Sequence, residues 1–213
     1  MSPNSPLAAL REWITQRLDP LTDQNFDSGL VESDFGPQSA DLAAGPPLAP
    51  AAVLVGLVER EHGYSVLLTR RADTLRRHTG QIAFPGGRRD PGETIWETAL
   101  RETEEEVGIP RSLVTLGGLS TPYRTGTGFL VTPVVGFIAP HFTLSPNPAE
   151  VADVFETPFG FLMDPSNHEE HEREFSGQLR RFYAMTHENR FIWGATAGML
   201  RSLYDRLYGG AVA

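Results

Sequence analysis

Residues Gly86 to Ile109 read GGRRDPGETIWETALRETEEEVGI. Four of the five residues from Glu102 to Glu106 are acidic, behind a Gly-Gly turn and a helix start. Like charges three and four apart on a helix repel by roughly 0.2–0.5 kcal/mol per pair. Such a cluster is either a solvated helical face or a face that binds cations, and charge alone leaves both open. Spacing says more. Thr94 and Glu97 stand at capping-box separation, and Gly108 followed by Pro110 supplies a stop, so a helix is predicted over 94–107. At about 100° per residue, Trp96, Leu100, Thr103 and Val107 fall on one stripe, and Glu102, Glu105 and Glu106 on another. The expectation is that the first stripe buries and the second presents three carboxylates.

Upstream, AAVLVGLVER (51–60) and SVLLTRR (65–71) are apolar, β-branched runs around the turn-like His62-Gly63, which predicts a hairpin. Gln81 to Phe84 is a short apolar run closed by Pro85-Gly86-Gly87. Downstream, 131–139, 151–157 and 181–186 read as strands, with Phe191-Ile192 extending the last. A closing helix is predicted over 195–207, burying Met199, Leu200, Leu203 and Leu207. Strands interleaved with two strong helices give an α/β class, a mixed sheet sandwiched between helices. Before this core, 6–18 forms a modest amphipathic helix. From 19 to about 50 the composition turns to Pro, Gly, Ala, Ser and Asp, an extended arm. The expected division is therefore 1–50, helix and arm, and 51–213, the core domain.

With 213 residues, 40% of them hydrophobic and 21% charged, the chain suits one well-cored soluble domain with an appendage. A net charge of -9 argues against a general nucleic-acid or anionic-membrane binder, since phosphate affinity rests on a positive field. There is no cysteine, which excludes disulfides, thiolate metal sites and cysteine nucleophiles. No apolar run is long enough to span a bilayer, and no secretory leader is visible, so a cytoplasmic location is expected.

Three carboxylates within a turn and a half suit a hard cation such as Mg²⁺, which takes oxygen ligands and keeps several waters. A substrate diphosphate could complete such a shell. Bound metal would polarise phosphoryl oxygens and make a bound water more nucleophilic. The Gly-Gly turn lets backbone approach closely. Glu93 and Arg101 are suited to an ion pair that fixes the loop to the helix. Arg70, Arg71, Arg76 and Arg77 bring four cations into eight residues of an acidic chain, and guanidinium forks bind phosphate well. His78 and Gln81 could bond substrate or brace the loop. HEEHE (168–172) lacks the HExxH zinc spacing and lies in a polar stretch, so a solvated loop is expected there. GTG (126–128) lacks the context of a dinucleotide fingerprint and reads as a loop.

The spacing from Gly87 to Ile109 resembles the signature box of the Nudix hydrolases, GX5EX7REUXEEXGU, with U a bulky aliphatic residue. Every fixed Gly, Glu and Arg is present; Thr103 stands at the first U, where its hydroxyl can return to a backbone carbonyl. LLTRRADTLRRHTGQIAFPGG (67–87) further resembles the motif of the coenzyme A pyrophosphatase branch, LLTxR, LRxHxGQ and AFPGG in register. Weaker agreement continues at Thr132-Pro133, at EVADVFETP from Glu150 and at IWGATA from Ile192. The resemblance implies a Nudix α/β/α sandwich with a mixed β-sheet. It also implies Mg²⁺- or Mn²⁺-dependent hydrolysis of the diphosphate of coenzyme A, to 4′-phosphopantetheine and adenosine 3′,5′-bisphosphate. On that basis Glu102, Glu105 and Glu106 would bind metal, with Gly86 adding a carbonyl. One of those carboxylates, or Glu150 from outside the box, would activate the water. Arg70, Arg76, His78 and Gln81 would contact substrate, and Glu93 and Arg101 would form the brace. The expected partner is coenzyme A or a derivative, with no nucleic acid and no membrane; a homodimer is left open. The rival readings are another Nudix specificity, such as ADP-ribose, and a Nudix-fold binding protein without catalysis. A binding protein of that kind is expected to have lost box carboxylates, and none is missing here.

Overall fold

Val131 to Ile138 is buried without interruption, the pattern of a strand covered on both faces, and the architecture is built around it. The structure, a computed structural model, describes residues 5–22, 32–33, 47–73, 80–175 and 178–209. In chain order the first elements are helix α1 (Pro6–Thr15), β1 (Glu32–Ser33), β2 (Ala49–Arg60), β3 (Gly63–Arg71), β4 (Ile82–Ala83), β5 (Gly86–Arg88) and helix α2 (Ile95–Val107). Strands β6 (Val114–Leu119), β7 (Tyr123–Arg124), β8 (Phe129–Ile138) and β9 (Val151–Pro158) follow, with the one-turn helix α3 (Phe159–Leu162). Strands β10 (Glu169–Phe175), β11 (Gln178–His187) and β12 (Arg190–Trp193) precede helix α4 (Ala195–Tyr208).

β2 and β8 run parallel at the centre, and antiparallel partners extend the sheet, β3 and β9 on one side and β6 on the other. Short strands trim its borders: β4 pairs β3, β5 pairs β2, β7 pairs β8, and β1 adds to β7 in parallel. Alternation along β2 divides the core. Leu54 and Val58 point to α2, with Ile95, Ala99 and Val107 behind them. Val55 and Leu57 point the other way, to α3, α4 and the Ile14 side chain of α1. Each fully buried Leu or Ile contributes about 1.5–3 kcal/mol, so the two clusters together specify which face each helix takes. This is an α/β/α sandwich with a mixed sheet.

Several expectations change. α1 ends at Thr15, and β2 begins at Ala49. Residues 114–119 form a strand whose register with β8 shifts between Leu116 and Gly118, a bulge that hides its alternation in the sequence. Phe191-Ile192 does not prolong β11; the chain turns at Glu188, φ 54°, and returns as β12. The HEEHE stretch is not a loop: Glu169–Phe175 pairs antiparallel with β11 in a separate three-stranded sheet. Its polarity reflects exposure, with Glu172 meeting Arg181 at 2.7 Å and His171 meeting Glu169 at 2.9 Å across solvent-facing positions. Most of the arm between 19 and 50 lies outside the described residues. Among the described residues, no helix is long and apolar enough to cross a membrane.

Candidate active site

Helix α2 begins where its sequence dictates. Thr94 Oγ1 accepts from Glu97 N at 3.3 Å, and Glu97 Oε2 accepts from Thr94 N at 2.8 Å, a reciprocal capping box. It ends at Gly108, whose φ of 76° suits a residue without Cβ. Beyond it, Ser145 N donates to Val107 O and Asn147 N to Glu106 O, both at 2.9 Å. A neighbouring loop thus satisfies carbonyls that the helix end would leave open. The same Asn147 accepts from Glu150 N at 3.0 Å, and its Nδ2 donates to Glu150 Oε1 at 3.3 Å. Glu150 is thereby tied to the helix that carries the acidic cluster.

The buried face of α2 is rotated from the expected stripe. Ile95, Ala99, Thr103, Glu106 and Val107 are buried, whereas Trp96 and Leu100 are half-buried. Thr103 returns its hydroxyl to Ala99 O at 2.7 Å. Glu106, 4% exposed, faces β5, where Gly86 N donates to its Oε2 at 3.2 Å. The two glycines of β5 make this approach possible. A Cβ on Gly86 would collide with the Ala52 carbonyl and lie 2.6 Å from Val53 Cα; one on Gly87 would lie 2.5 Å from the Glu102 carboxyl carbon. Without side chains there, backbone rests against both carboxylates.

Arg101 organises the acidic neighbours. Its guanidinium donates to Glu93 Oε1 at 2.7 Å, Glu102 Oε1 at 2.9 Å, Glu105 Oε2 at 3.0 Å and Arg88 O at 3.2 Å. Held chiefly by Arg101, with Thr98 Oγ1 donating at 2.8 Å, the Glu93 carboxyl falls to about 2. Glu102 moves the other way: burial raises it, Arg101 opposes, and the charges of Glu105 and Glu150 add to the rise. Glu106 is pushed up to about 7, first by burial; the Gly86 N–H and the Arg71 charge oppose, and Glu102 and Glu150 add to it. Three carboxylates, from Glu102, Glu106 and Glu150, therefore share one field, with Arg71 as the cation acting on Glu106. Of these, Glu102 and Glu106 lie against the glycines of β5, and carboxylate oxygen is the donor type that a hard divalent cation takes.

The remaining residues separate. Glu105 is exposed and turned to Arg101. Among the described residues, no three acidic or histidine side chains are gathered into a group that could hold a metal ion. Arg70 pairs with Asp73 at 3.2 Å, a local contact at the edge. Gln81 accepts from Arg71 N at 2.9 Å through its carbonyl. Arg76, Arg77 and His78 lie outside the described residues. GTG sits in the turn between β7 and β8. Sequence reasoning misses Asn147, although Asn-Pro is a turn-initiating pair and its side chain accepts from Ala149 N at 3.1 Å.

Comparison with known proteins gives this geometry a family. Residues 47–177 match the NUDIX domain. The uncharacterized Nudix hydrolase NudL of Yersinia pestis (strain Pestoides F) is 43% identical over 158 residues, 74% of this chain and 79% of that protein. Its counterpart in Yersinia pseudotuberculosis (serotype O:1b, strain IP 31758) matches with the same 43% identity and the same coverage. Among solved structures, a Nudix hydrolase from M. smegmatis, RenU, shares the fold with a TM-score of 0.51 at 21% identity, over 87% of this chain and 97% of that one. The chain belongs to the Nudix family, as a hydrolase of the diphosphate in a nucleoside diphosphate derivative.

Proposed function

We propose that the substrate is coenzyme A or one of its derivatives, split at the diphosphate into 4′-phosphopantetheine and adenosine 3′,5′-bisphosphate. One observation carries this reading: the segment 67–87, whose LLTxR, LRxHxGQ and AFPGG pattern resembles the coenzyme A branch, begins and ends at the acidic site. At one end Arg71 acts on Glu106 through its charge; at the other, Gly86 N donates to the same carboxylate. The part of the chain that would read the substrate and the helix that would cut it therefore converge on Glu106.

Nudix hydrolases use divalent cations such as Mg²⁺ or Mn²⁺. Glu102 and Glu106 would hold the metal here, with Glu105 joining on release from Arg101 and the Gly86 carbonyl within the same turn. When bound, the metal would polarise the phosphoryl oxygens and lower the pKa of a coordinated water. Glu150, bonded by Asn147 and acting electrostatically on Glu102 and Glu106, would orient the attacking water and accept its proton. Arg101 bonds Glu102, and Glu93 bonds Arg101, which supports a brace that would position the cluster rather than touch the reacting atoms. Arg76, His78 and Gln81 would engage substrate from the segment that precedes the box.

The test is Mg²⁺-dependent turnover of coenzyme A, its 3′-dephospho form, ADP-ribose and NADH under identical conditions. Coenzyme A as the preferred substrate, with phosphopantetheine released, is the expected result. Preference for ADP-ribose would remove the substrate assignment and leave the reaction class standing.

A further inference from the structure

Strand β3 keeps a regular antiparallel register with β9 from Ser65 to Arg70, and the register shifts between Arg70 and Arg71. A bulge at the end of a strand re-aims the side chain that follows it. The two arginines accordingly have different fates. Arg70 meets Asp73 at 3.2 Å. Arg71 makes no ion pair within 4.0 Å among the described residues, and its Nε is buried with no hydrogen-bond partner. Its backbone is fixed on both sides: Arg71 N donates to Gln81 O at 2.9 Å, Gly80 N donates to Arg71 O at 3.2 Å, and Ala72 N donates to Glu150 O at 2.8 Å. The residue is therefore held beside the loop that carries Glu150, and its charge reaches Glu106 without a bond to it. A guanidinium offers five N–H donors in a fixed fork matched to phosphate oxygens. Held by its backbone, with a buried donor unused and its charge felt at Glu106, it is arranged for an anion that arrives with the substrate.

We propose that Arg71, held beside the segment that carries Glu150, binds the scissile diphosphate and not the more remote 3′-phosphate or the adenine. This deepens the diphosphate-hydrolase reading and rests on it. The guanidinium would take non-bridging oxygens of the diphosphate and offset the charge that grows on the leaving phosphate as water adds to phosphorus. Because the diphosphate is common to every candidate substrate, the contribution of Arg71 is independent of which one is used.

Arg71→Ala should lower kcat/KM by roughly 100-fold on each substrate that the wild type hydrolyses, by the same factor with and without a 3′-phosphate. Affinity for inorganic pyrophosphate, measured by calorimetry in Mg²⁺ buffer, should weaken by about tenfold. Millimolar guanidinium should restore part of the lost rate. Wild-type rates and wild-type pyrophosphate affinity would overturn the proposal. So would a loss confined to substrates with a 3′-phosphate, or a loss that guanidinium does not relieve and pyrophosphate binding does not register. If the alanine variant does not fold, Arg71→Gln keeps a polar stem, and the rate and pyrophosphate readouts decide. A wild type that ignores coenzyme A but cleaves ADP-ribose would refute the substrate assignment, and Arg71 would then be judged on ADP-ribose.

Discussion

Glu106 carries a charge where the fold has little water to give it. It is 4% exposed, and the one hydrogen bond to its carboxylate among the described residues is that from Gly86 N. Burial therefore lifts its carboxyl to about 7, and the fold opposes ionisation below that value. Gln can still accept from Gly86 N but brings no charge. Glu106→Gln is expected to lose roughly 100-fold or more in kcat under Mg²⁺ while remaining folded; near-normal turnover would sink the metal assignment. The sign of the stability effect follows from the raised pKa. Between about 4.5 and about 7 the unfolded chain has released a proton that the folded chain retains, so wild-type stability falls as pH rises. In chelator at pH 8 the Gln variant should melt no lower than wild type, and its advantage should vanish below pH 4.5. The glycines separate in the same manner. Gly86→Ala pushes a methyl into backbone, at Ala52 and Val53, and should cost about 3 kcal/mol or more. Gly87→Ala meets the end of the Glu102 side chain, which can swing away, so activity should fall while the melting temperature changes little.

At the scale of the element, α2 and its loops act as one braced unit. Glu93 is the anchor, its side chain 21% exposed and bonded to both Arg101 and Thr98. Its carboxyl lies well below the ordinary range, so its contribution is complete above pH 4.5 and is lost as pH falls toward about 2. Glu93→Gln should destabilise by about 1–2 kcal/mol at pH 7, allowing for partial solvation, and thermal melts should show the gap to wild type closing as pH falls from about 4.5 toward about 2. The ends of α2 were legible because capping boxes and left-handed glycines are local chemistry. Its rotation was not. Trp96 and Leu100 outrank Ala99 and Glu106 in hydrophobicity, yet the latter face the sheet, because β5 presents glycines that leave room for a carboxylate. Residues 169–175 were illegible as a strand because EEHEREF, polar at nearly every position, shows no apolar alternation. Arg70 and Arg71 are neighbours of the same type, and although LLTxR fixes only Arg71, the different surroundings of the two come from the register shift in β3, which the sequence does not display.

Across the whole molecule, the N-terminal helix is continuous with the core that supports the site. Ile14 is fully buried among the β2, β8 and α4 side chains, and Leu7, Leu10 and Trp13 pack against the same cluster. Trp13 lies 5.0 Å from the Tyr208 ring of α4, and Tyr64 Oη donates to Leu7 O at 3.4 Å. Arg206 of α4 donates to Arg17 O at 2.7 Å and pairs with Asp19, while Asp19 and Leu119 exchange backbone bonds at 3.0 and 2.9 Å. These contacts close the face of the sheet opposite α2. Burial of one full and several partial apolar side chains contributes ~4 kcal/mol or more, a large share of what holds a domain of this size folded. Deleting residues 1–22 should therefore lower the melting temperature by ~10 °C or more and expose the α4 face to a hydrophobic dye. The carboxylates of α2 lie on the other face of the sheet, so the soluble fraction of the truncated protein should keep its kcat per folded molecule at 20 °C. An unchanged melting temperature would show that the helix is an appendage on a self-sufficient core. A fall in kcat with stability intact would instead tie the N-terminal segment to the site itself.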